Sequence, residues 1–410
     1  MKIVIATAVY YPQTNGVAVF SRNLATGLAK RGHEVVVICP SQTGKSHEKT
    51  VDGVKIHYLK SVNTKVYPDQ IHAVPERKKF LGIKLPRLLY KHGFRVSIFP
   101  FVEIKKILDE FNPDVVHVQV SDPIGLSVVS YARKKNIPIV TTEHNQPEVL
   151  TDPLKMPKLV KKPTNALLSA YFRNRQSKSD FVTMPTEQSI RNLLKERELG
   201  VPVAAVSNGV DLSQFKPGKV PSVIYKKYKI DAKKPTVLYV GRVDPEKQVG
   251  IVIQSFLHAG VPNAQFVVVG DGVDKARLEK EYGENKNILF LGRVVGDDLY
   301  ELYKVGDVFA TASEIETQGI VLIEAAATGL PLIAVNAGAV AEVCLNEENG
   351  YLCEPGSVSE ISTAIRKILM DDKLQTKFSK KSLEIANEHD LERTLDKFVN
   401  IYNRVITDKS

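Results

Sequence analysis

The sequence contains few cysteines and no long apolar segment. Its three cysteines, Cys39, Cys344 and Cys353, form no CxxC pair and have no regular spacing. A disulfide framework or a zinc knuckle is therefore not expected. No apolar run reaches the roughly 18 residues that a membrane-spanning helix requires. The apolar stretch at residues 3–6 near the N-terminus is too short for a signal peptide, so we expect a cytoplasmic protein.

Acidic residues are scarce in the first half of the chain. Residues 1–200 carry 31 Lys/Arg and 17 Asp/Glu, a balance of +14, whereas residues 201–410 carry 25 and 29, a balance of −4. This division indicates that only the first half meets a polyanion, either a membrane surface or nucleic acid. The composition, 43% hydrophobic and 25% charged, is that of an ordinary globular protein. At 410 residues, two domains fit better than one or four.

Two series of alternating strands and helices are predicted along the chain. Apolar segments rich in Val and Ile, such as residues 3–8 and 114–120, predict strands buried on both faces of a parallel sheet. A second series starts at residues 235–241, after the turn-rich segment 200–234. The alternation is typical of an α/β protein with two Rossmann-like, doubly wound sheets. Ligands of such sheets bind at the carboxyl ends of the strands, so we expect the site in a cleft between two domains.

Two places along the chain suit a diphosphate. Asn15-Gly16 follows the first strand and opens the first helix, and the missing side chain of Gly16 lets an anion approach the positive end of that helix. A simple helix-entry turn is the alternative, and the absence of GxGxxG there disfavours a dinucleotide dehydrogenase. Arg242 and Lys247 follow the first strand of the second series, and both side chains suit phosphate oxygens. Ion pairing with neighbouring acids is the alternative for them.

Two glutamates flank the start of a predicted helix in the second series. Glu316 precedes the helical run 320–328, and Glu324 lies just over one turn inside it. One carboxylate can accept hydrogen bonds from sugar hydroxyls and the other from a ribose diol. The amides around Gly319 then face the phosphates. Glutamates on a helix usually form a solvated face, but the apolar neighbours of Glu324 predict burial and hence a partner.

Polar side chains also end two strands of the first series. His117 and Gln119 lie on one face at the end of a strand, and His144 ends the following strand in the same way. Both histidines are expected at the rim of the first sheet. A polar site and a structural role are about equally compatible with this placement.

Five motifs occur in the order that one enzyme family shows. They are Tyr11-Pro12-Gln13-Thr14-Asn15-Gly16-Val17, Ser207-Asn208-Gly209-Val210-Asp211, Gly241-Arg242 with Glu246-Lys247, Gly270-Asp271-Gly272, and Glu316 eight residues before Glu324. Together they span essentially the whole chain and resemble the family-4 retaining glycosyltransferases of GT-B fold. The resemblance implies an N-terminal acceptor-binding, membrane-facing domain at 1–210 and a C-terminal sugar-nucleotide-binding domain at 211–389. A closing helix at 390–410 is expected to cross back to the N-terminal domain.

The same resemblance implies roles for individual residues. Gly16, Arg242 and Lys247 are expected on the diphosphate, while Glu316 contacts the donor sugar and Glu324 the ribose. The absence of any Asp-x-Asp triplet agrees with a metal-independent enzyme, so no cofactor is expected beside a UDP- or GDP-sugar donor. The catalytic residues implied are Arg242, Lys247, Glu316, His117, Gln119 and His144, and the substrate-binding residues are Asn15, Gly16, Val17, Arg293, Thr317, Gln318, Gly319, Ile320 and Glu324.

A narrower subgroup of the family shares two of these motifs. The loop 12–17 and Glu316-Thr317-Gln318-Gly319 resemble enzymes that glycosylate diacylglycerol or related membrane lipids. Many members carry His-x-His where this chain has His117-Val118-Gln119, and we take Gln119 as a mark of the subgroup.

A basic excess is concentrated in two segments of the first half. Residues 76–95 contain seven Lys/Arg and one acid, interleaved with Leu, Ile and Phe, and residues 155–178 hold a second cluster. This mixture suits an interfacial segment on anionic lipid, and a solvated face of a basic domain is the alternative. Nucleic-acid binding is not expected, because no recognised module is present. The residues predicted to bind the membrane are Arg77, Lys78, Lys79, Lys84, Arg87 and Lys91.

The sequence thus predicts a hexosyltransferase that moves glucose or mannose, with retention, from a nucleotide sugar to a lipid acceptor such as diacylglycerol. Its partners are expected to be the nucleotide sugar, the lipid acceptor and the anionic inner face of the cell membrane. A soluble acceptor such as a sugar phosphate, or a catalytically idle sugar-nucleotide-binding protein, is the alternative.

Overall fold

The chain forms two compact units. Unit 1 comprises Met1–Asn208 with Glu392–Ser410, and unit 2 comprises Gly209–Leu391. The C-terminal helix, Leu391–Lys409, therefore packs almost entirely with unit 1. The computed structural model describes residues 1–13, 15–68, 79–80, 83–84, 93–119, 122–144, 157–194 and 198–410.

Unit 1 is built on an eight-stranded sheet whose strands pair in parallel, except that His47–Val51 is antiparallel to Val54–Leu59. Its central strand, Lys2–Ala6, pairs with Glu34–Pro40 and Val115–Val118, and its Val and Ile side chains are buried. The strands in spatial order are Val203–Ala205, Phe181–Met184, Ile139–Thr142, Val115–Val118, Lys2–Ala6, Glu34–Pro40, Val54–Leu59 and His47–Val51. Two short antiparallel pairs join Val62–Pro68 to Gly93–Val96 and Lys79–Phe80 to Ile83–Lys84.

Helix Pro123–Lys134 of unit 1 begins at a side-chain N-cap. The Asp122 side chain accepts a hydrogen bond from the Gly125 amide at 2.8 Å, and Pro123 occupies the first helical position, where its missing N–H costs nothing. The helices are Gly16–Lys30, Phe101–Phe111, Pro123–Lys134, Lys158–Gln176, Glu187–Leu194 and Leu391–Lys409.

Unit 2 is built on a six-stranded parallel sheet that is apolar on both faces. Alternate residues of Thr236–Val240 explain this, because Leu238 and Val240 join one buried cluster while Val237 and Tyr239 join another. In spatial order the strands are Ile288–Gly292, Gln265–Val269, Thr236–Val240, Val308–Ala310, Leu332–Val335 and Gly350–Cys353. The helices are Ser222–Tyr228, Val249–Ala259, Lys275–Tyr282, Asp297–Tyr303, Ile320–Ala327, Val358–Leu369 and Asp372–Glu388, with 3-10 turns at Pro245–Lys247 and Val340–Glu342.

Two doubly wound, largely parallel sheets confirm the predicted α/β class. The strand predicted at residues 114–120 is shorter, Val115–Val118, so Gln119 lies just beyond it. The turn-rich segment 200–234 also contains strand Val203–Ala205 and helix Ser222–Tyr228, which were not assigned from the sequence. Three and seven residues are too few for a hydrophobic period to be recognised between prolines and glycines.

Candidate functional site

Two strand-end loops of unit 2 are locked together by close backbone contact. The Gly241 amide donates to the Val269 carbonyl at 3.0 Å, and the Val243 amide donates to the Asp271 carbonyl at 2.9 Å. A Cβ atom at Gly270 would lie 1.8 Å from the Gly241 oxygen, and Gly270 has φ of +149°. Only glycine fits there, so this position fixes the loop that carries Arg242.

Arg242 is held by two carboxylates at the end of strand Thr236–Val240. Its Nη2 lies 2.8 Å from Glu246 Oε1, and its Nη1 pairs with Asp244. Burial raises the pKa of Asp244, and the Arg242 guanidinium opposes that shift. The Tyr239 hydroxyl donates to the Arg242 carbonyl at 2.6 Å. The guanidinium is therefore oriented, and it remains partly exposed at the carboxyl edge of the sheet.

Lys247 and Glu316 form an ion pair across 69 residues of sequence. Lys247 Nζ lies 2.6 Å from Glu316 Oε1 and 3.4 Å from Ser313 Oγ, and both charged side chains are mostly buried. Lys247 ends the 3-10 turn Pro245–Lys247, whereas Glu316 follows strand Val308–Ala310. The strands that precede these two loops are neighbours in the sheet, which is why the loops meet. The structure thus brings together two residues that were predicted to share one site.

Glu324 lies inside helix Ile320–Ala327, next to a tyrosine. The Tyr303 hydroxyl donates to Glu324 Oε2 at 2.5 Å. Burial of the carboxyl group raises the pKa of Glu324 to about 7, although the hydrogen bond from Tyr303 opposes the shift. The carboxyl therefore titrates near neutral pH. The predicted need for a partner is met by Tyr303.

The loop before this helix supplies backbone donors. Gly319 is buried, adopts φ of +76° and precedes the first helical residue, Ile320. The first amides of a helix have no acceptor one turn earlier. Gln318 is buried, whereas Thr317 is partly exposed. Arg293 is exposed and follows strand Ile288–Gly292 at the edge of the sheet, two strands away from Thr236–Val240. The roles predicted for these residues stay predictions.

In unit 1, Asn15 caps the helix that Gly16 begins. Its side chain accepts a hydrogen bond from the Ala18 amide at 2.9 Å, and no acidic residue occupies the first turn. Asn15 therefore has the structural role of an N-cap. Gly16 is exposed and Val17 is partly exposed at this positive helix end, as a phosphate contact requires. Binding of a diphosphate by these residues stays a prediction.

His117 is fully buried and has a hydrogen-bond partner at each ring nitrogen. Nδ1 lies 2.6 Å from the Tyr402 hydroxyl on the C-terminal helix, and Nε2 lies 2.7 Å from Thr142 Oγ1. The Thr142 hydroxyl is in turn 2.6 Å from Thr183 Oγ1. Burial lowers the pKa of His117 to about 3, so the ring is neutral at physiological pH. A catalytic role for His117 stays a prediction, and its observed contacts are those of a packed residue.

Gln119 connects His117 to His144. The Gln119 amide nitrogen lies 3.2 Å from His117 Nε2, and its oxygen lies 2.8 Å from His144 Nε2. With this orientation of the amide, His144 donates from Nε2 and keeps Nδ1 as an acceptor. Burial also lowers the pKa of His144 to about 3, and its ring packs edge-on against Phe20 at 5.2 Å. The three predicted residues therefore do meet, as one neutral network.

The residues predicted to bind a membrane are largely outside the described chain. Arg77, Lys78, Arg87 and Lys91 lie there, and of Lys79 and Lys84 the structure describes only the backbone, where the two residues are paired. In the described part, no helix is both long and apolar enough to span a bilayer. The same ranges contain no group of three or more His, Cys, Asp or Glu that is arranged to hold a metal ion. Metal independence stays a prediction.

Two tyrosines of these networks were not recognised from the sequence. Neither Tyr303 nor Tyr402 was given a role from the sequence. The available signal was the hydroxyl itself, because a phenol on a buried face needs a hydrogen-bond partner. Burial of each ring raises the pKa of Tyr303 and Tyr402 well above 10, so both hydroxyls keep their proton.

Comparison with known proteins covers nearly the whole chain. The model of Glycosyltransferase Family 4 matches residues 14–214, and that of Glycosyl transferases group 1 matches residues 222–384. A GDP-mannose-dependent alpha-mannosyltransferase of Mycobacterium tuberculosis is 28% identical, over 87% of this chain and 84% of that protein. An alpha-monoglucosyldiacylglycerol synthase of Acholeplasma laidlawii is 27% identical, over 81% of this chain and 80% of that protein.

A solved structure supports the fold over the full length. Sucrose-phosphate synthase of Thermosynechococcus elongatus superimposes with a TM-score of 0.76 and covers 100% of both chains at 18% sequence identity. At that identity the likeness shows the architecture alone. It agrees with the two doubly wound sheets and confirms the predicted GT-B fold.

Proposed function

The chain belongs to the family-4 glycosyltransferases of GT-B fold and resembles their lipid-glycosylating members, and from this premise we propose its reaction. The enzyme transfers a hexose, glucose or mannose, from a UDP- or GDP-sugar to a hydroxyl of a membrane lipid such as diacylglycerol. Retention of the anomeric configuration and independence of metal ions are part of the proposal. The observation that carries it is the Lys247–Glu316 ion pair beside Arg242, at the strand ends of unit 2.

The reaction needs stabilisation of a departing diphosphate. The bond between the anomeric carbon and the diphosphate oxygen breaks, and the electron pair stays on the diphosphate. The acceptor oxygen bonds to the anomeric carbon on the same face, and its proton passes to a phosphate oxygen of the leaving group. Arg242 and Lys247 lie where they can offset the charge that develops on the diphosphate, which is the largest electrostatic requirement of the reaction.

The ion pairs of unit 2 suggest how the donor is admitted. A diphosphate that binds Lys247 competes with Glu316, whose carboxylate lies 2.6 Å from the ammonium group. Glu316 is then available to accept hydrogen bonds from hydroxyls of the donor sugar. In the same way, the phosphate oxygens compete with Glu246 for the guanidinium group of Arg242. Glu324 accepts from the ribose hydroxyls in its ionised form.

A lipid acceptor is supported by relatives and by charge. Two of the similar proteins are named alpha-monoglucosyldiacylglycerol synthase, at 27% and 28% identity. The +14 balance of residues 1–200 suits an anionic membrane surface. We therefore place the enzyme in the cytoplasm, bound peripherally to the inner face of the cell membrane. In unit 1, the neutral network of Gln119 and His144 offers hydrogen bonds to an uncharged acceptor hydroxyl.

A donor panel tests the first step of this proposal. Thermal unfolding is measured with UDP-glucose, UDP-galactose, GDP-mannose and the free nucleoside diphosphates, because a bound ligand stabilises the folded state by RT ln(1 + [L]/Kd). One base is expected to raise the unfolding temperature, and Lys247→Ala is expected to reduce that rise. No rise with any nucleotide would exclude sugar-nucleotide transfer. A rise without release of nucleoside diphosphate to any lipid or sugar phosphate would favour a catalytically idle binding protein.

Vesicle sedimentation tests the acceptor class. The wild-type protein is expected to sediment with anionic vesicles at low salt. It should remain in the supernatant at 1 M salt, where the electrostatic screening length falls to about 3 Å. Replacement of Lys78, Lys79, Lys84 and Arg87 by Ser should weaken sedimentation and leave sugar-nucleotide affinity unchanged. A protein that stays in the supernatant with anionic vesicles at low salt would favour a soluble acceptor such as a sugar phosphate.

A further inference from the structure

Helix Lys158–Gln176 of unit 1 presents apolar side chains to solvent. Leu159 is 91% exposed, Leu167 74%, Val160 51% and Tyr171 38%. At 100° per residue these four lie on one continuous face of the helix. Pro163, Ala166 and Ala170 are also exposed and lie on the same face. This reverses the usual amphipathic arrangement, in which the exposed face of a surface helix is polar.

The opposite face of the helix packs against the rest of unit 1. Phe172 is buried and packs in a cluster with Met184 and Leu193. The fully buried Gln176 donates from its amide to Glu143 Oε2 at 3.0 Å. The inner face therefore packs within unit 1, and the Gln176 amide nitrogen anchors it there. The exposed stripe is a second apolar surface on the same helix, and surfaces of this kind mark sites of interaction.

The charge of the helix selects what can cover the stripe. Its 19 residues include five Lys/Arg and no Asp or Glu. The Arg175 guanidinium lies 5.1 Å from the centre of the Tyr171 ring, at the edge of the exposed face. A second copy of the chain in an isologous contact would bring these cations together, which is unfavourable. An anionic lipid surface complements both the charge and the apolar stripe.

We propose that helix Lys158–Gln176 lies in the plane of an anionic bilayer and inserts Leu159, Val160 and Leu167 below the headgroups. The proposal deepens the membrane docking given above, and it rests on that function for its purpose. It adds a second membrane-binding element, helix Lys158–Gln176, whose apolar side chains are exposed. Over 19 residues the helix is about 28 Å long, enough for several lipid contacts.

The absence of tryptophan from the chain permits a direct test. Leu167→Trp places a single indole on the exposed stripe, and Val223→Trp places one at a position of unit 2 that is 61% exposed. Fluorescence is recorded with vesicles of phosphatidylglycerol and phosphatidylcholine in equal parts, and with phosphatidylcholine alone. Neither donor nor acceptor is present. The emission of Leu167→Trp is expected to shift to the blue and to be quenched by brominated acyl chains in anionic vesicles, whereas that of Val223→Trp stays unchanged.

A second pair of variants separates insertion from charge. Leu159→Ser combined with Leu167→Ser should weaken partitioning into anionic vesicles by about tenfold or more, because two exposed apolar side chains no longer leave water. The matched control, Val223→Ser with Leu257→Ser in unit 2, should partition like the wild type. Circular dichroism checks that both variants are folded. Equal partitioning of the two variants would overturn the proposal, since docking would then be independent of the stripe.

Two other outcomes would also overturn it. Binding of the Leu167→Trp variant to anionic vesicles without a blue shift would mean that the helix stays in water. A blue shift without vesicles, together with a doubled mass in light scattering, would assign the stripe to a second copy of the chain. Sugar transfer to detergent-dispersed lipid is measured separately, so a failure of insertion and a failure of the proposed reaction give different results.

Discussion

The strand ends of the two units carry polar side chains of opposite character. In unit 1, His117, Gln119 and His144 form a buried network in which neutral groups hydrogen-bond to one another. In unit 2, Arg242 and Lys247 are charged, partly exposed and paired with carboxylates. Similar sheets therefore present different chemistry at the same edge.

The two sites differ in how easily a side chain can exchange its hydrogen-bond or ion-pair partner. A buried neutral network loses hydrogen bonds if one member turns away, so it favours a fixed geometry. An ion pair at a partly exposed site can exchange its carboxylate for another anion with little net change in charge, as between Glu316 and a phosphate. Unit 2 is thus suited to bind and stabilise a diphosphate, and unit 1 to hold hydrogen-bonding groups in place.

The largest effect is expected at Arg242. Arg242→Ala should lower kcat/KM by roughly 100- to 1000-fold, about 2.7–4 kcal/mol, because one preorganised donor to the leaving group is lost. Release of nucleoside diphosphate under steady-state conditions measures the change. Arg277→Ala is the matched control, since Arg277 is an exposed arginine of unit 2 that pairs with Asp274 and Glu281. Wild-type turnover in Arg242→Ala would refute the assignment.

A smaller effect is expected for Glu316→Gln. The substitution removes the charge that holds Lys247 and accepts from the sugar, so turnover should fall by about 10- to 100-fold, the value of a hydrogen bond to a charged group. Affinity for the free nucleoside diphosphate should be unchanged or higher, because Lys247 no longer has a competing partner. Calorimetry gives the affinity, and initial rates give the turnover. A matching loss of both would show that Glu316 acts only through folding of the loop.

In unit 1, we expect a substitution in the buried network to lower the stability of the folded protein. Tyr402→Phe leaves Nδ1 of the buried His117 without its hydroxyl partner, which should lower the free energy of unfolding by about 1–3 kcal/mol. Urea unfolding followed by circular dichroism measures the loss. Tyr171→Phe alters an exposed ring of the same unit and should stay within about 0.5 kcal/mol of the wild type. If the two variants were equally stable, the network would not hold the C-terminal helix.

The smallest effect concerns pH. Burial raises the pKa of Glu324 to about 7, and the proposal requires the ionised form to accept from the ribose. Donor affinity should therefore fall as the pH is lowered from 8 to 6, by roughly tenfold, because the ionised fraction drops by about that factor. Titration calorimetry at several pH values measures it. In Glu324→Gln the dependence should disappear, and a dependence that persists would have to come from another group.

The sequence predicts much of this arrangement because position along a parallel sheet is a local property. Residues that follow buried strands, such as Arg242 and Glu316, are expected at one edge, and the structure brings Lys247 and Glu316 into contact there. The pairing of His117 with Tyr402 spans 285 residues and depends on how the last helix packs. No local pattern encodes that choice.

Two short secondary-structure elements were also not predicted from the sequence. Strand Val203–Ala205 and helix Ser222–Tyr228 lie among prolines and glycines that favour a turn, so tertiary packing decides their conformation. The apolar stripe of helix Lys158–Gln176 illustrates the converse. Its residues were recognised as a second basic cluster, but only the structure shows which of the apolar side chains are exposed.

The central claim is transfer of a hexose from a nucleotide sugar to lipid, and radiolabel partition tests it most directly. The wild-type protein is incubated with labelled UDP-glucose or GDP-mannose and vesicles containing diacylglycerol, and the mixture is then extracted into organic solvent. We expect label in the organic phase with one of the two donors, an equal release of nucleoside diphosphate, and loss of both in Arg242→Ala. Label confined to the aqueous phase with both donors would contradict it.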